Sequence, residues 1–220
     1  MVDRTSKDSS EMASCYDYSF KSRFREGVSL LLSNSLWVLS DNLACKLEGF
    51  ERVYRRYIGY EYVKEYESGF YFEDGCVLHI GCGSYPFSIL MLAALSDNVS
   101  IVGIDNDKKA VRNASEIVKK YRLDDRVSIK EGDGCSYPIK GFNMVIISSC
   151  CKPRLGILKH VLDDARRGSR VFIRELNYNY NMSLSYVNNR SDVKVLKILP
   201  HNPLFFVGVL GWRSICVEKL

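Results

Sequence analysis

The chain has 220 residues, 46% of them apolar, and a formal net charge of +5. That apolar share fills a core of ordinary size, and no apolar run reaches the roughly 18 residues that a membrane span needs. Eight cysteines with no C-x-x-C pair and no Cys/His cluster at zinc spacing argue against a disulfide scaffold or a zinc site; they read as buried thiols in a reducing cytoplasm, and the mild charge permits an anionic partner without requiring one.

Residues 1–15 are polar and charged, which predicts a disordered tail and no signal peptide. Residues 16–72 are expected to form an N-terminal helical segment. Val28, Leu31, Leu32, Leu36, Leu39, Leu43, Leu47 and Phe50 recur there at helical spacing, with Ser and Asn interruptions that divide the stretch into two or three helices. Tyrosines crowd the end of this segment, where packing against the following domain accounts for most of them. From residue 73 to 220 the pattern changes. Apolar runs at 76–80, 99–104, 126–130, 143–148, 169–174 and 213–218 read as strands, and helical patterns at 86–95, 107–121 and 153–164 lie between the first five. Strands alternating with helices imply parallel crossovers. The expected domain is therefore α/β, a mostly parallel twisted sheet of about seven strands with helices on both faces. Residues 177–189, rich in Asn, Tyr and Ser, read as a loop over the sheet edge. The end of the chain, "VKVLKILP…GWRSICVEKL", reads as a strand pair closing the sheet.

The first strand runs into a turn, "VLHIGCGSYPFSIL" (77–90). In an open parallel sheet, ligands bind beyond the carboxyl ends of the strands, and Gly81–Cys82–Gly83 stands there. A dinucleotide fingerprint requires a third glycine at 86. Pro86 removes an amide donor instead and argues against a phosphate cradle. An adenosine ligand without phosphates fits better, and S-adenosylmethionine is the obvious one. Asp105 ends the second strand, where a carboxylate accepts ribose hydroxyls; the competing account is a helix cap for 107–121. Asp133, in "EGDG", follows the third strand beside the expected adenine position. The candidate cofactor contacts are Gly81, Cys82, Gly83, Tyr85, Ser88, Asp105, Asn106, Asp133, Gly134 and Ser148. For Tyr85 a role as a cover over the helix start stands beside cofactor contact. No metal ligands are expected.

These motifs resemble the class I S-adenosylmethionine-dependent methyltransferase superfamily, and within it the archaeal nicotianamine synthase-like branch. "LHIGCG" lacks, at His79, the acid of ordinary methyltransferases, as that branch does. "GCGSYPFS" is similar to its Pro-rich turn at Pro86, Phe87 and Ser88. "SSCCKPRLGIL" (148–158) resembles its small-residue run and Pro–Lys-type turn after the fourth strand. "YIGYEYVKEY" (57–66) resembles the Tyr-rich segment that supplies a catalytic tyrosine, here Tyr60. The branch carries a catalytic glutamate in a longer N-terminal helical domain; Glu26 and Asp41 are the candidates for that role. The resemblance implies a Rossmann-like fold, S-adenosylmethionine as cofactor, a small-molecule amine as acceptor, and transfer of the aminocarboxypropyl group to give a metal chelator. A homodimer is compatible with it.

Other readings stay open. Arg52, Arg55, Arg56 and Lys119, Lys120, Arg122 form basic runs that an RNA methyltransferase would use, or else solvated helix faces; the latter disfavours nucleic acid as a partner. Arg174, at the end of the fifth strand, suits either a substrate carboxylate or a surface ion pair. Cys150 and Cys151 suit packing or reactivity, His160 reads as a surface residue, and His201 lies in the closing loop, where a ligand or a base is one reading. Methyl transfer to a small molecule or RNA, and a non-catalytic cofactor-binding protein, are the alternatives to the family reaction.

Overall fold

The apolar runs downstream of residue 75 assemble into one sheet because each is short and rich in Val and Ile, and helices connect most of them in succession. The computed structural model describes residues 35–67, 75–176, 180–202 and 211–220. The expected tail at 1–15, the start of the helical segment with Glu26, and residues 68–74, 177–179 and 203–210 lie outside the described residues. The strands are β1 (Gly75–Ile80), β2 (Val99–Asp105), β3 (Val127–Glu131), β4 (Met144–Ile147), β5 (Arg170–Leu176), β6 (Val193–His201) and β7 (Trp212–Lys219). Their order is β3-β2-β1-β4-β5-β7-β6. The first five run parallel, and β7 is antiparallel to both β5 and β6. The expected seven strands and the closing strand pair are therefore both present.

Helix α1 covers 35–46 of the described residues, α2 is Glu48–Glu67, α3 Phe87–Leu95, α4 Lys108–Lys120, α5 Arg154–Asp164 and α6 Tyr180–Asn188. Successive strand residues point to opposite faces of the sheet. On β1, Val77 packs with Ile89 and Leu92 of α3 and with Ala114 and Val118 of α4. Leu78 and Ile80 pack on the other face with Leu158, Val161 and Leu162 of α5. A third cluster joins the N-terminal helices to the domain: Ala44, Tyr54 and Ile58 meet Phe87, Leu90 and Trp212. No helix among the described residues is long and apolar enough to cross a membrane.

The segment expected as a loop at 177–189 contains α6. Asn, Ser and Tyr are middling helix formers, so propensity gives little signal. Burial decides instead: Val187 enters the core beside α5, and the Ser183 hydroxyl donates to the buried Glu175 carboxylate.

Strand order reverses at β1, which pairs β2 on one side and β4 on the other. The connections leaving the carboxyl ends of these strands run to opposite faces, which opens a crevice above β1. Helices α1 and α2 roof it.

Candidate active site

The crevice is a cavity of about 420 Å³. Its floor is the turn after β1. Gly81 and Gly83 have φ of +74° and +70°, a region open to glycine at no steric cost. A Cβ at Gly81 would overlap Cys151 Sγ, and one at Gly83 would come within 2.6 Å of Asp41 Oδ2. The amides of Gly81 and Cys82 donate to the Ile104 carbonyl at 2.8 and 3.0 Å, which ties the turn to the end of β2. Asp105 Oδ2 accepts from the Gly83 amide and Oδ1 from the Asp107 amide, both at 3.0 Å. Each carboxylate oxygen keeps lone-pair capacity for a further donor. Asp105 does not cap α4. Asp107 does, accepting from the Lys109 amide at 2.8 Å, and this leaves Asp105 at the cavity wall.

All ten candidate cofactor residues, Gly81 to Ser148, line this one cavity, although they come from four separate strand ends. Their engagements differ. Asp133 Oδ1 accepts from the Cys135 amide at 2.9 Å, which shapes the loop after β3. The Ser88 hydroxyl is tied to Tyr66 Oη at 2.8 Å, and the Ser148 hydroxyl to His79 Nε2 at 2.8 Å. Burial, with Arg174 adding to it, holds the His79 imidazole well below its ordinary pKa, so it is neutral. Tyr85 is buried with its hydroxyl 3.5 Å from that of Tyr121, so it lines the cavity and covers the start of α3 at once.

The roof was the part the sequence read least well. Tyr60 is 68% exposed and does not line the cavity. The cause is helical phase: Tyr54, Ile58, Glu61 and Glu65 are the buried stripe of α2, which turns position 60 to solvent. Tyr62 lines the cavity instead. Asp41, on α1, also reaches it, and its Oδ1 accepts from Tyr54 Oη at 3.2 Å. Burial raises the Asp41 carboxyl from 3.8 to about 7, the Tyr54 hydrogen bond opposing this and the charge of Asp105 adding to it. Of the two acids considered, Asp41 is the one found among the described residues, and it stands at the cavity wall.

Arg174 is not a surface residue. It is 3% exposed, and Glu65, fully buried, grips it through Nε at 3.0 Å and Nη2 at 2.5 Å. Its Nη2 also donates to Tyr66 Oη at 3.1 Å, and its guanidinium carbon lies 4.4 Å from the centre of the Tyr62 ring. Glu65 keeps the guanidinium charged against the cost of burial. Glu65, Tyr62, Trp37 and Trp212 were not singled out from sequence; the inward stripe of α2 was the available signal for the first two. Cys151 donates to the Ile80 carbonyl, and burial pushes its thiol up to about 12, so it packs as a protonated group. Cys150 lines the cavity with its pKa likewise raised by burial. His201 is buried, stacked on Trp212 and hydrogen-bonded to Glu61 at 3.0 Å; His160 is partly buried and meets the Tyr137 carbonyl at 2.8 Å.

The two basic runs meet in a second, open groove of about 470 Å³ that includes Arg52, Arg55, Arg56 and Lys120. Glu51 pairs with Arg55 and Glu48 with Lys120, which halves its local excess of positive charge.

A parallel sheet with this strand order, a glycine turn after β1 and an acid closing β2 define the class I S-adenosylmethionine-dependent methyltransferase superfamily. Residues 64–211, about two thirds of the chain, match the family model described as protein-L-isoaspartate(D-aspartate) O-methyltransferase (PCMT). The chain belongs to that family. No curated protein matches the sequence. Among solved structures, a point mutant of MtNAS in complex with S-adenosylmethionine aligns with a TM-score of 0.66 and 13% identity, over 88% of this chain and 76% of that one. MtNAS in complex with MTA and tNA aligns with a TM-score of 0.66 and 12% identity, over 89% and 74%. TrmN from Thermus thermophilus aligns with a TM-score of 0.59 and 16% identity, over 72% and 48%. At these identities the likeness is one of fold.

Proposed function

We propose that the chain is an S-adenosylmethionine-dependent transferase that joins an aminocarboxypropyl group to the nitrogen of a small-molecule amine, giving a metal-chelating amino acid. Asp41 carries this reading. It is a carboxyl group at the cavity wall with a pKa near 7, hydrogen-bonded to Tyr54 and opposite the glycine turn. An amine is nucleophilic only when neutral, and a base poised near neutral pH is suited to take its proton. The residues on the floor fit the cofactor. Asp105 has acceptor capacity left for a ribose diol, and the Gly81–Gly83 turn lets Cys151 and Asp41 pack against its backbone at the cavity wall. When bound, S-adenosylmethionine supplies a sulfonium whose neighbouring carbons are electrophilic. Tyr54 fixes the Asp41 carboxyl through Oδ1 and leaves Oδ2 toward Gly83. The aromatic roof of Trp37, Tyr54 and Tyr62 excludes water and limits the directions from which an amine approaches. The fold likeness to MtNAS supports the same reading. The seven described cysteines are all unpaired, which suits work in a reducing cytoplasm.

The family match favours a second reading, methyl transfer. The by-product separates the two. Incubation with S-adenosylmethionine and a panel of amines, followed by chromatography, should give methylthioadenosine. S-adenosylhomocysteine alone would make the protein a methyltransferase. Cofactor binding with neither product would make it a binding protein.

A further inference from the structure

The exposed large apolar side chains of this protein are gathered on the outside of its roof. Seven of the twelve among the described residues fall between 36 and 60, a small part of the chain. Soluble proteins scatter such residues singly, and a contiguous group marks a surface that another molecule covers. On α1, Ala44 is core, and Trp37 and Cys45 pack against the same cluster, so these three define its inner side. Leu36, Leu39, Leu43 and Leu47 recur at intervals of three and four on the opposite side. None of the four joins a core cluster, and Leu39 and Leu47 are 54% and 52% exposed. The stripe runs into the junction of the two helices, where the Leu47 amide donates to the Leu43 carbonyl at 2.9 Å and the Glu51 amide to the Leu47 carbonyl at 3.0 Å. Val53 and Tyr57 are exposed on α2, outside its buried stripe of Tyr54, Ile58 and Glu61. Both helices lay their buried sides on one cluster with Phe87, Leu90 and Trp212, so both exposed faces look away from the domain.

A helix that is apolar on both sides belongs in an interior. We infer that a second copy of this chain covers the face, pairing α1 with α1 about a two-fold axis. A straight stripe is its own complement under that symmetry, and spacing by three and four is the ridge pattern by which helices pack. The area suffices. The four leucines, Val53 and Tyr57 expose on the order of 500 Å², so two faces together remove about 1,000 Å² before the polar residues between them are counted, the size at which a specific interface is expected. A lipid surface fits less well, because α1 carries a single basic residue, Lys46, where an interfacial helix lines its apolar stripe with several. The contact also bears on the crevice. Helix α1 presents Trp37 and Asp41 to the cavity from its other side, so the partner copy backs the helix that carries Asp41.

Sedimentation velocity from micromolar to hundred-micromolar protein tests the inference and needs no turnover. The native chain should reach twice the monomer mass within that range, with a Tm that rises with concentration. Leu39→Lys combined with Leu47→Lys puts charges into the contact at two positions that a single chain leaves exposed. It should raise the dimer dissociation constant at least about a hundredfold and abolish the concentration dependence of the Tm. Leu155→Lys makes the same change at an exposed leucine of α5 and should leave the dimer intact. Hydrogen exchange of the native protein, compared between the two ends of the concentration range, should be slowed within 35–57. A monomer throughout, a dimer that survives the double variant or is lost equally in Leu155→Lys, or protection that maps to another surface would overturn the inference. So would a monomer that floats with vesicles of phosphatidylglycerol and phosphatidylcholine and loses that binding in the double variant, which would give the face to lipid. If the double variant does not fold, the exchange map of the native protein decides.

Discussion

Asp41→Asn should make the protein both more stable and less active. Asparagine keeps the size of the side chain and an oxygen to accept from Tyr54 Oη, and it carries no charge. In the unfolded chain the carboxyl ionises at its ordinary 3.8, whereas in the folded protein burial holds the proton to about 7. Between those values the folded state binds the extra proton, so stability falls as pH rises and the loss is complete above the folded value. At about 1.4 kcal/mol per pH unit the native protein forfeits up to ~4 kcal/mol by pH 8. The variant avoids that loss. For a chain of this size, a few °C per kcal/mol puts its Tm on the order of 10 °C higher at pH 8, narrowing to a few degrees at pH 4.5. Loss of a general base should slow amine transfer by about 10²- to 10⁴-fold. Thermal melts at the two pH values and chromatography of the adenosine by-product measure both halves. A variant less stable at pH 8, or a gain that does not shrink on acidification, would refute the electrostatic argument. Unaltered turnover would remove Asp41 from the chemistry.

Asp105→Ala should weaken S-adenosylmethionine binding by about ten- to a hundredfold in calorimetry, since the carboxylate also holds the Gly83 and Asp107 amides in place; unchanged affinity would detach Asp105 from the site. Gly83→Ala forces a side chain into positive φ and toward Asp41 Oδ2, which should cost about 1–2 kcal/mol and lower the Tm by several degrees. Tyr60→Phe should leave turnover within about twofold of native, because the side chain faces solvent; a tenfold loss would return Tyr60 to the mechanism.

The sheet and the cofactor wall were legible because their signals are local. Each strand is a short apolar run, α4 carries a clear helical stripe, and Gly81, Gly83, Asp105 and Asp133 sit at strand ends whose place in a parallel sheet is set by topology. The cap of α4 could be read in two ways, and the Asp107 bond to Lys109 resolved it. The roof was less legible. Which tyrosine of α2 faces inward depends on the phase of a helix whose polar residues, Glu61 and Glu65, are buried against partners far along the chain. A reading that counts polar residues as exposed gives the wrong face. Asp41 was visible as an acid, but its place opposite Gly83 is produced by packing between segments some forty residues apart. Helix α6 was missed because its composition is that of a loop and its stability comes from Val187 and Ser183 being buried.

The cavity is built from two parts of the chain with separate constraints. Floor residues sit at the ends of the strands, whereas Asp41, Tyr54 and Tyr62 hang from helices joined to the sheet by an aromatic cluster and by the Glu65–Arg174 and Glu61–His201 bonds. Substitutions in the roof that spare Glu61 and Glu65 can therefore accumulate without unfolding the floor. A scaffold divided in this way can exchange one acceptor, or one transferred group, for another while its grip on the donor nucleoside is inherited unchanged. Libraries confined to 35–67 are the economical place to seek new transferase specificities in this protein.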